Sequence, residues 1–255
     1  MRFTGASAVS ADLARIAAAL GFACEAPALL AHPGTGLDAE GLRWLRALQT
    51  LLSQPTPPRQ AGFGYETYAF GIRDHALLQA RPAGMVPHFE GCQRVLDVGC
   101  GTGMFVDLLL RHGLNARGVE RNRQSAAYAR ALGLDVEIEA AEGTVRPREI
   151  EDALAHLETS PQAYDGLYCS HFVEHLPMDA VERLVRLCAG ALQPGGVAVF
   201  TFPDPESIRS QLLGFWRDPE HVRFYHPEII EVLALAQGLA LEFSSQRQPG
   251  RRRGD

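Results

Sequence analysis

Apolar and polar positions along this chain follow two rhythms, and the rhythm changes once. Up to residue 52 it is helical: Leu42, Leu45, Leu48 and Leu52 recur at three- and four-residue steps within 38–52, so they share one helix face. SADLARIAAAL at 10–20 reads the same way, with Ser10 as N-cap and Gly21 as stop. QPTPPRQ at 54–60 ends this regime, because proline lacks the N–H that helices and strands need. From residue 94 short apolar runs alternate with amphipathic ones. RVLDV (94–98), NARGVE (115–120), LDVEIE (134–139), YDGLYCS (164–170), GGVAVFTF (195–202) and LALEF (239–243) read as six strands. FVDLLLRHG, the segment through Arg130, and residues 147–158, 177–192 and 226–238 read as helices, with Pro227 suited to the first turn of the last.

Strand and helix alternating through short connections predict an α/β fold, a doubly wound, mostly parallel sheet of Rossmann-like type. An N-terminal helical extension precedes it. The expected division is 1–60 for the extension and its Pro-rich linker, 61–243 for the main domain, and 244–255 for a polar, Arg- and Gly-rich tail expected to be disordered.

Composition narrows the function classes. The net charge of -6 argues against a broad polyphosphate-binding surface, so no nucleic-acid partner is expected. No apolar run is long enough to span a bilayer, and Asp12 and Arg15 interrupt the run nearest the N-terminus, against a signal peptide. The five cysteines are odd in number and form no CxxC pair, which reads as reduced thiols in a cytoplasmic protein.

The chemistry begins at GCGTG, 99–103, between the first strand and the first helix. Glycines there let backbone approach a ligand at a helix N-terminus. A dinucleotide loop would carry glycine at 104, where this chain has Met104. Asp97 beside the loop would repel a pyrophosphate but suits a ligand bearing an ammonium and a sulfonium. Glu120 ends the second strand, where a carboxylate can accept both ribose hydroxyls.

VLDVGCGTG, GVE at 118–120, YDGLYCSHFVEHL at 164–176 and LQPGGVAVFTFP at 192–203 resemble, in this order, the motifs of class I S-adenosylmethionine-dependent methyltransferases. The resemblance covers about residues 64–243. It implies the methyltransferase form of the Rossmann-like fold, with S-adenosylmethionine as cofactor and S-adenosylhomocysteine as product. Gly99, Gly101 and Gly103 would line the cofactor, with Cys100 in the same loop and Ser170 at the end of the fourth strand. Asp97 would hold the methionine part and Glu120 the ribose. The adenine contact would fall to Glu139 or Glu142. The family ends on an antiparallel hairpin, whereas only a polar tail follows LALEF here.

SHFVEHLP (170–177) follows the fourth strand, at the end of the sheet where ligands sit. Methyl transfer to an oxygen needs its proton removed, so His171 and His175 are candidate bases. HFVEH also matches the H-x-x-E-H pattern of inverted zinc peptidases, but it follows directly on a buried strand, which disfavours a peptidase. Some methyltransferases of this class carry E-x-x-E-H here and bind a divalent metal, so His171, Glu174, His175 and a later histidine form an alternative, metal-assisted site. Between strand five and the last helix, residues 202–228 concentrate Trp216, Arg217, His221, Arg223, Phe224, Tyr225 and His226. There His221 is expected to act on the acceptor, and Trp216 and Arg223 to bind it. DPEHVRFYHPE resembles methyltransferases of surface-glycan and polyketide-type pathways, implying a small-molecule or glycan-like acceptor. A non-catalytic S-adenosylmethionine-binding module is the competing class. The oligomeric state stays open.

Overall fold

The computed structural model describes residues 26–53, 81–138 and 149–245. The expected helix at 10–20, the Pro-rich run at 54–60, Glu139, Glu142 and the tail from 246 lie outside the described residues. The chain divides into two compact units, Met1–Ala153 and Leu154–Asp255.

The first unit contains α1 (Ala26–Leu30), α2 (Ala39–Ser53), a 3₁₀ turn (Arg81–Phe89), β1 (Val95–Val98), α3 (Met104–Arg111), β2 (Ala116–Glu120), α4 (Arg123–Ala131) and β3 (Val136–Ile138). α5 (Glu149–Glu158) contains the division point. β2 lies between β1 and β3 and runs parallel to both, with Val98 opposite Val119 and Gly118 opposite Val136. All four residues of β1 are buried, as a parallel strand covered on both faces requires. α3 turns Phe105, Val106 and Leu109 into this core.

The leucine-rich helix of the extension appears as α2 and is tied down at two points. Trp44 stacks on Tyr128 of α4 with ring centroids 5.7 Å apart. Arg43 reaches Asp107 of α3 at 2.6 Å, Arg111 pairs with the same carboxylate at 2.8 Å, and Glu40 accepts from both terminal nitrogens of Arg111. An apolar stack inside a ring of ion pairs thus docks α2 on α3 and α4.

The second unit contains β4 (Tyr164–Ser170), a 3₁₀ turn (Val173–His175), α6 (Met178–Ala191), β5 (Leu192–Thr201) and α7 (Pro227–Ala236). A further helical stretch, 208–217, tightens from a π turn at Ser210–Gly214 into a 3₁₀ turn at Phe215–Arg217. β4 and β5 are parallel, and their register slips between Tyr164 and Gly166 before running evenly to Ser170 opposite Thr201. The slip falls where β5 passes through Pro194, Gly195 and Gly196, a stretch that lacks one N–H and two side chains. α6 buries Val181, Leu184, Val185 and Cys188.

Five of the six expected strands form, and the sixth does not. Residues 239–244 are irregular, and Leu241 and Phe243 are exposed. A strand is held by its ladder partners, and among the described residues LALEF pairs with none of the five strands. Among the described residues, no helix is long and apolar enough to cross a membrane.

Gly118 is closely packed in the first unit: an added Cβ would lie 2.4 Å from Cys100 Sγ and 2.8 Å from its Cβ. Gly118→Ala is expected to cost about 1–3 kcal/mol of stability through overpacking. Urea unfolding followed by circular dichroism measures this.

Candidate functional site

The sequence-predicted residues gather into two groups, one in each unit. In the first unit the loop 99–103 leaves β1 with Gly99, Gly101 and Gly103 at φ 72, 56 and 78°. Gly99 and Cys100 both donate their N–H to Val119 O, at 3.0 and 3.1 Å, so the loop is stitched to β2. Gly103 shows why a side chain is excluded: its φ is left-handed, and a Cβ there would lie 2.6 Å from Leu134 Cδ1. It also starts α3, so the helix N-terminus opens on this loop.

Glu120 organises the loop. Its Oε2 accepts the Gly101 N–H at 2.6 Å, and its Oε1 accepts the Asn122 N–H at 2.7 Å. Asn122 in turn takes the Ser125 N–H on its side-chain oxygen at 2.9 Å, which caps α4. Asn122 is a site-building residue that the motif reading missed. Its signal was present, an Asn two residues past an acidic strand end and just before a helix. Each carboxylate oxygen keeps a further lone pair, so Glu120 can still accept two hydroxyls.

Asp97 is buried on β1 next to this arrangement. Burial first, and then the charge of Glu120, push its carboxyl well above the usual carboxylate range. Burial also raises Glu120, partly offset by the N–H bonds from Asn122 and Gly101 and by the charge of Arg121. The Cys100 thiol is pushed up by burial and by both carboxylates, so it stays protonated and is no nucleophile. It packs over Gly118, and its backbone is what the loop uses. Asp97, raised by burial and by the neighbouring charge of Glu120, suits a ligand that brings its own positive charge.

The second unit places Ser170 and Thr201 at the ends of β4 and β5, with Thr201 Oγ1 donating to Ser170 Oγ at 2.6 Å. Thr201 was not expected in the site, because nothing in the sequence marks strand partners. His171 follows with φ 51°, a left-handed backbone that non-glycine residues rarely adopt outside functional positions. Its N–H donates to Thr201 O at 2.8 Å, and its Nδ1–H donates to Glu174 Oε1 at 3.0 Å.

Glu174 is the centre of this group. Its side chain is 1 % exposed, and its Oε2 has no hydrogen-bond partner. Its main-chain carbonyl accepts the N–H groups of Val222 and Arg223 at 2.8 and 3.4 Å, fixing the strap 221–226 along the 3₁₀ turn. His175 Nδ1 donates to Glu220 O at 3.3 Å, and His221 Nδ1 to Phe215 O at 2.6 Å. Nδ1 so engaged makes Nε2 the ring nitrogen through which each imidazole would bind a cation. Ligand atoms of Glu174, His175 and His221 lie within 4.8 Å of one another. His221 Nε2 also lies 3.8 Å from the buried Asp218 Oδ2, a neighbour that sequence reading did not single out. One carboxylate and two imidazoles match the protein ligands of a catalytic divalent-metal site in number and type.

The remaining predicted residues divide. Phe215 is buried against Phe224 and His221, whereas Trp216 beside it is 70 % exposed. Arg223 lies over the Tyr225 ring at 5.1 Å, and Tyr225 OH donates to Leu176 O at 2.7 Å. His226 caps α7.

The family model for the methyltransferase domain matches residues 42–242 of this chain. The chain belongs to the methyltransferase-domain family. It is similar to a solved SAM-dependent methyltransferase from Archaeoglobus fulgidus, at 30 % identity over 68 % of this chain and 72 % of that one, with a TM-score of 0.58. Among curated proteins, it is 29 % identical over 185 residues to a ubiquinone biosynthesis O-methyltransferase of Idiomarina loihiensis, covering 66 % of this chain and 70 % of that one. A relative of the same name from Alkalilimnicola ehrlichii is 29 % identical over 124 residues. There the match spans about half of each protein, 48 % of this chain and 47 % of the relative. The doubly wound, mostly parallel α/β fold of this methyltransferase is the one its motifs implied.

The raised carboxyl of Asp97 predicts a stability effect. A group whose folded-state pKa is raised costs nothing below its unfolded value, near 3.9. The cost grows as pH rises towards the folded value and is full above it. Asp97→Asn is therefore expected to stabilise the ligand-free methyltransferase at pH 7 by about 0.5–2 kcal/mol, the scale of single stabilising changes. The gain should fade as the pH is lowered towards 4. Urea midpoints at the two pH values check it.

Proposed function

We propose that this protein transfers a methyl group from S-adenosylmethionine to a hydroxyl of a small-molecule acceptor. The observation that carries the reading is the buried pair Asp97 and Glu120 around the left-handed glycine loop. The cofactor, when bound, supplies a methyl group on a cationic sulfur. Asp97 faces the cationic part with an otherwise uncompensated carboxylate, and Glu120, locked by two backbone N–H groups, accepts the ribose hydroxyls. Gly99, Gly101 and Gly103 let the main chain come close. His171, steadied through Nδ1 by Glu174, keeps Nε2 to accept the acceptor's hydroxyl proton. The acceptor oxygen, its proton passed to His171 Nε2, would be the atom that receives the methyl group. The similarity to O-methyltransferases supports oxygen as the receiving atom. A glycan-like acceptor gains no support from the strap, since His221 is turned into the Glu174 group and only 10 % of its side chain is exposed. The cysteine pattern supports a cytoplasmic setting.

A second reading is favoured by one observation, the buried Glu174 Oε2, which has no hydrogen-bond partner, in one cluster with the imidazoles of His175 and His221. Glu174, His175 and His221 would hold a divalent cation, whose charge would lower the acceptor's hydroxyl pKa. His171, which shares Glu174, would then orient the ligand and not act as the base.

Glu120→Ala is expected to weaken S-adenosylhomocysteine binding by about 1–3 kcal/mol, as removal of a charged acceptor should. Isothermal titration calorimetry measures it, and an unchanged affinity would remove Glu120 from the ribose site. Methyl incorporation from labelled cofactor in a cell extract separates an enzyme from a non-catalytic binding module. Excess chelator divides the two readings: loss of turnover, restored by a divalent metal, establishes the cation, and full turnover leaves His171 as the base.

A further inference from the structure

Gly103 sits between two walls. On one side is the first turn of α3, closed onto the loop by the Asp107 N–H, which donates to Gly103 O at 2.9 Å. On the other are the end of α4 and the turn after it. They approach so closely that a Cβ on Gly103 would lie 2.6 Å from Leu134 Cδ1 and 3.1 Å from Ala129 Cβ. A glycine at φ 78° has no side chain to fix its own position, so its conformation depends on how firmly the walls are held.

One side chain from outside the loop reaches both walls. Arg43 of α2 donates from Nη2 to Asp107 Oδ1 at 2.6 Å, on the α3 side. The same guanidinium donates to Leu132 O on the α4 side, through Nη2 at 3.3 Å and Nε at 3.4 Å. Leu132 follows the last residue of α4, a helix end that favours a cation, and it stands two residues before Leu134. The side chain of Arg43 is 32 % exposed and that of Asp107 12 %, so solvent and salt screen this bridge less than a pair on the open surface. The other ties of α2 touch one helix each. Trp44 stacks on Tyr128 of α4, and Glu40 pairs with Arg111 of α3. Arg43 alone among these three joins the turn that starts at Gly103 to the turn that packs on it.

We propose that Arg43 is a positioning residue of the cofactor site: from the helical extension it holds the two walls of Gly103 at the spacing the loop needs to take S-adenosylmethionine. This role rests on the cofactor reading of the loop and adds to it a residue that the glycine motif does not contain.

The test measures S-adenosylhomocysteine binding to the full chain by calorimetry, beside urea midpoints and amide hydrogen exchange by NMR. Arg43→Gln is expected to weaken binding about 3–30-fold, the range of couplings carried through packed networks. The Asp107 amide should exchange faster in that variant. Glu40→Gln loosens α2 from its exposed side without touching either wall, so affinity should stay within about twofold and the Asp107 amide should keep its protection. Asp107→Asn cuts the bridge at its other end and should weaken binding likewise, and the double variant should lose less than the two single losses combined. Unchanged affinity in Arg43→Gln overturns the proposal. Equal losses in Arg43→Gln and Glu40→Gln, following their urea midpoints, overturn it in favour of a purely stabilising role. If the wild-type chain binds no S-adenosylhomocysteine, the cofactor reading falls first. Exchange at Asp107 then decides the clamp alone, and an unchanged rate in Arg43→Gln overturns that too.

Discussion

Two carboxylates buried side by side are the arrangement on which the first unit depends. Asp97 and Glu120 are both buried, which raises the cost of ionising each, and the charge of Glu120 adds to the cost at Asp97. Glu120 meets part of that cost by taking two backbone N–H groups, and those bonds are what shape the glycine loop and the start of α4. Asp97 has no comparable relief. A chain that needed only stability would hold an amide or an apolar residue there. The ligand-free protein therefore carries an electrostatic penalty at this pair.

The second unit solves a related problem with the opposite sign. Glu174 is also buried, but the imidazoles of His171 and His221 face its carboxylate. The strap 221–226 follows the turn 173–175 because the Glu174 carbonyl takes two of its N–H groups. That backbone pairing brings His221 to His175, with ring centroids 4.7 Å apart. Main-chain carbonyls of Phe215 and Glu220 then hold each ring by Nδ1. Which nitrogen is left for chemistry is thus settled by the path of the loop, through atoms every residue possesses. Side-chain identity made the site possible, and backbone geometry oriented it.

The motifs of this protein were readable where chemistry is local. GCGTG must bend through left-handed glycines and must precede a helix, so its place between β1 and α3 follows from residue types alone. Glu120 at a strand end and His171 just beyond another were legible for the same reason. Asn122, Thr201 and Asp218 were not, since their parts depend on a cap, a strand partner and a folded-back loop. The strand expected at 239–243 shows the reverse failure. LALEF has the composition of a strand, but composition supplies only one side of a ladder, and the other side has to come from elsewhere in the chain.

By itself, then, the order of residues determined the succession of strands and helices, the glycine loop, and the presence of acids and imidazoles at strand ends. These follow from periodicity and from conformational rules that act within a few residues. Only the tertiary structure decided that Asp97 lies where a second buried acid raises it, that His221 turns inward while Trp216 turns out, and that α2 docks through Trp44 on Tyr128. Burial is set by what distant segments cover, and burial governs both the charge a group carries and the surface a side chain leaves to a partner.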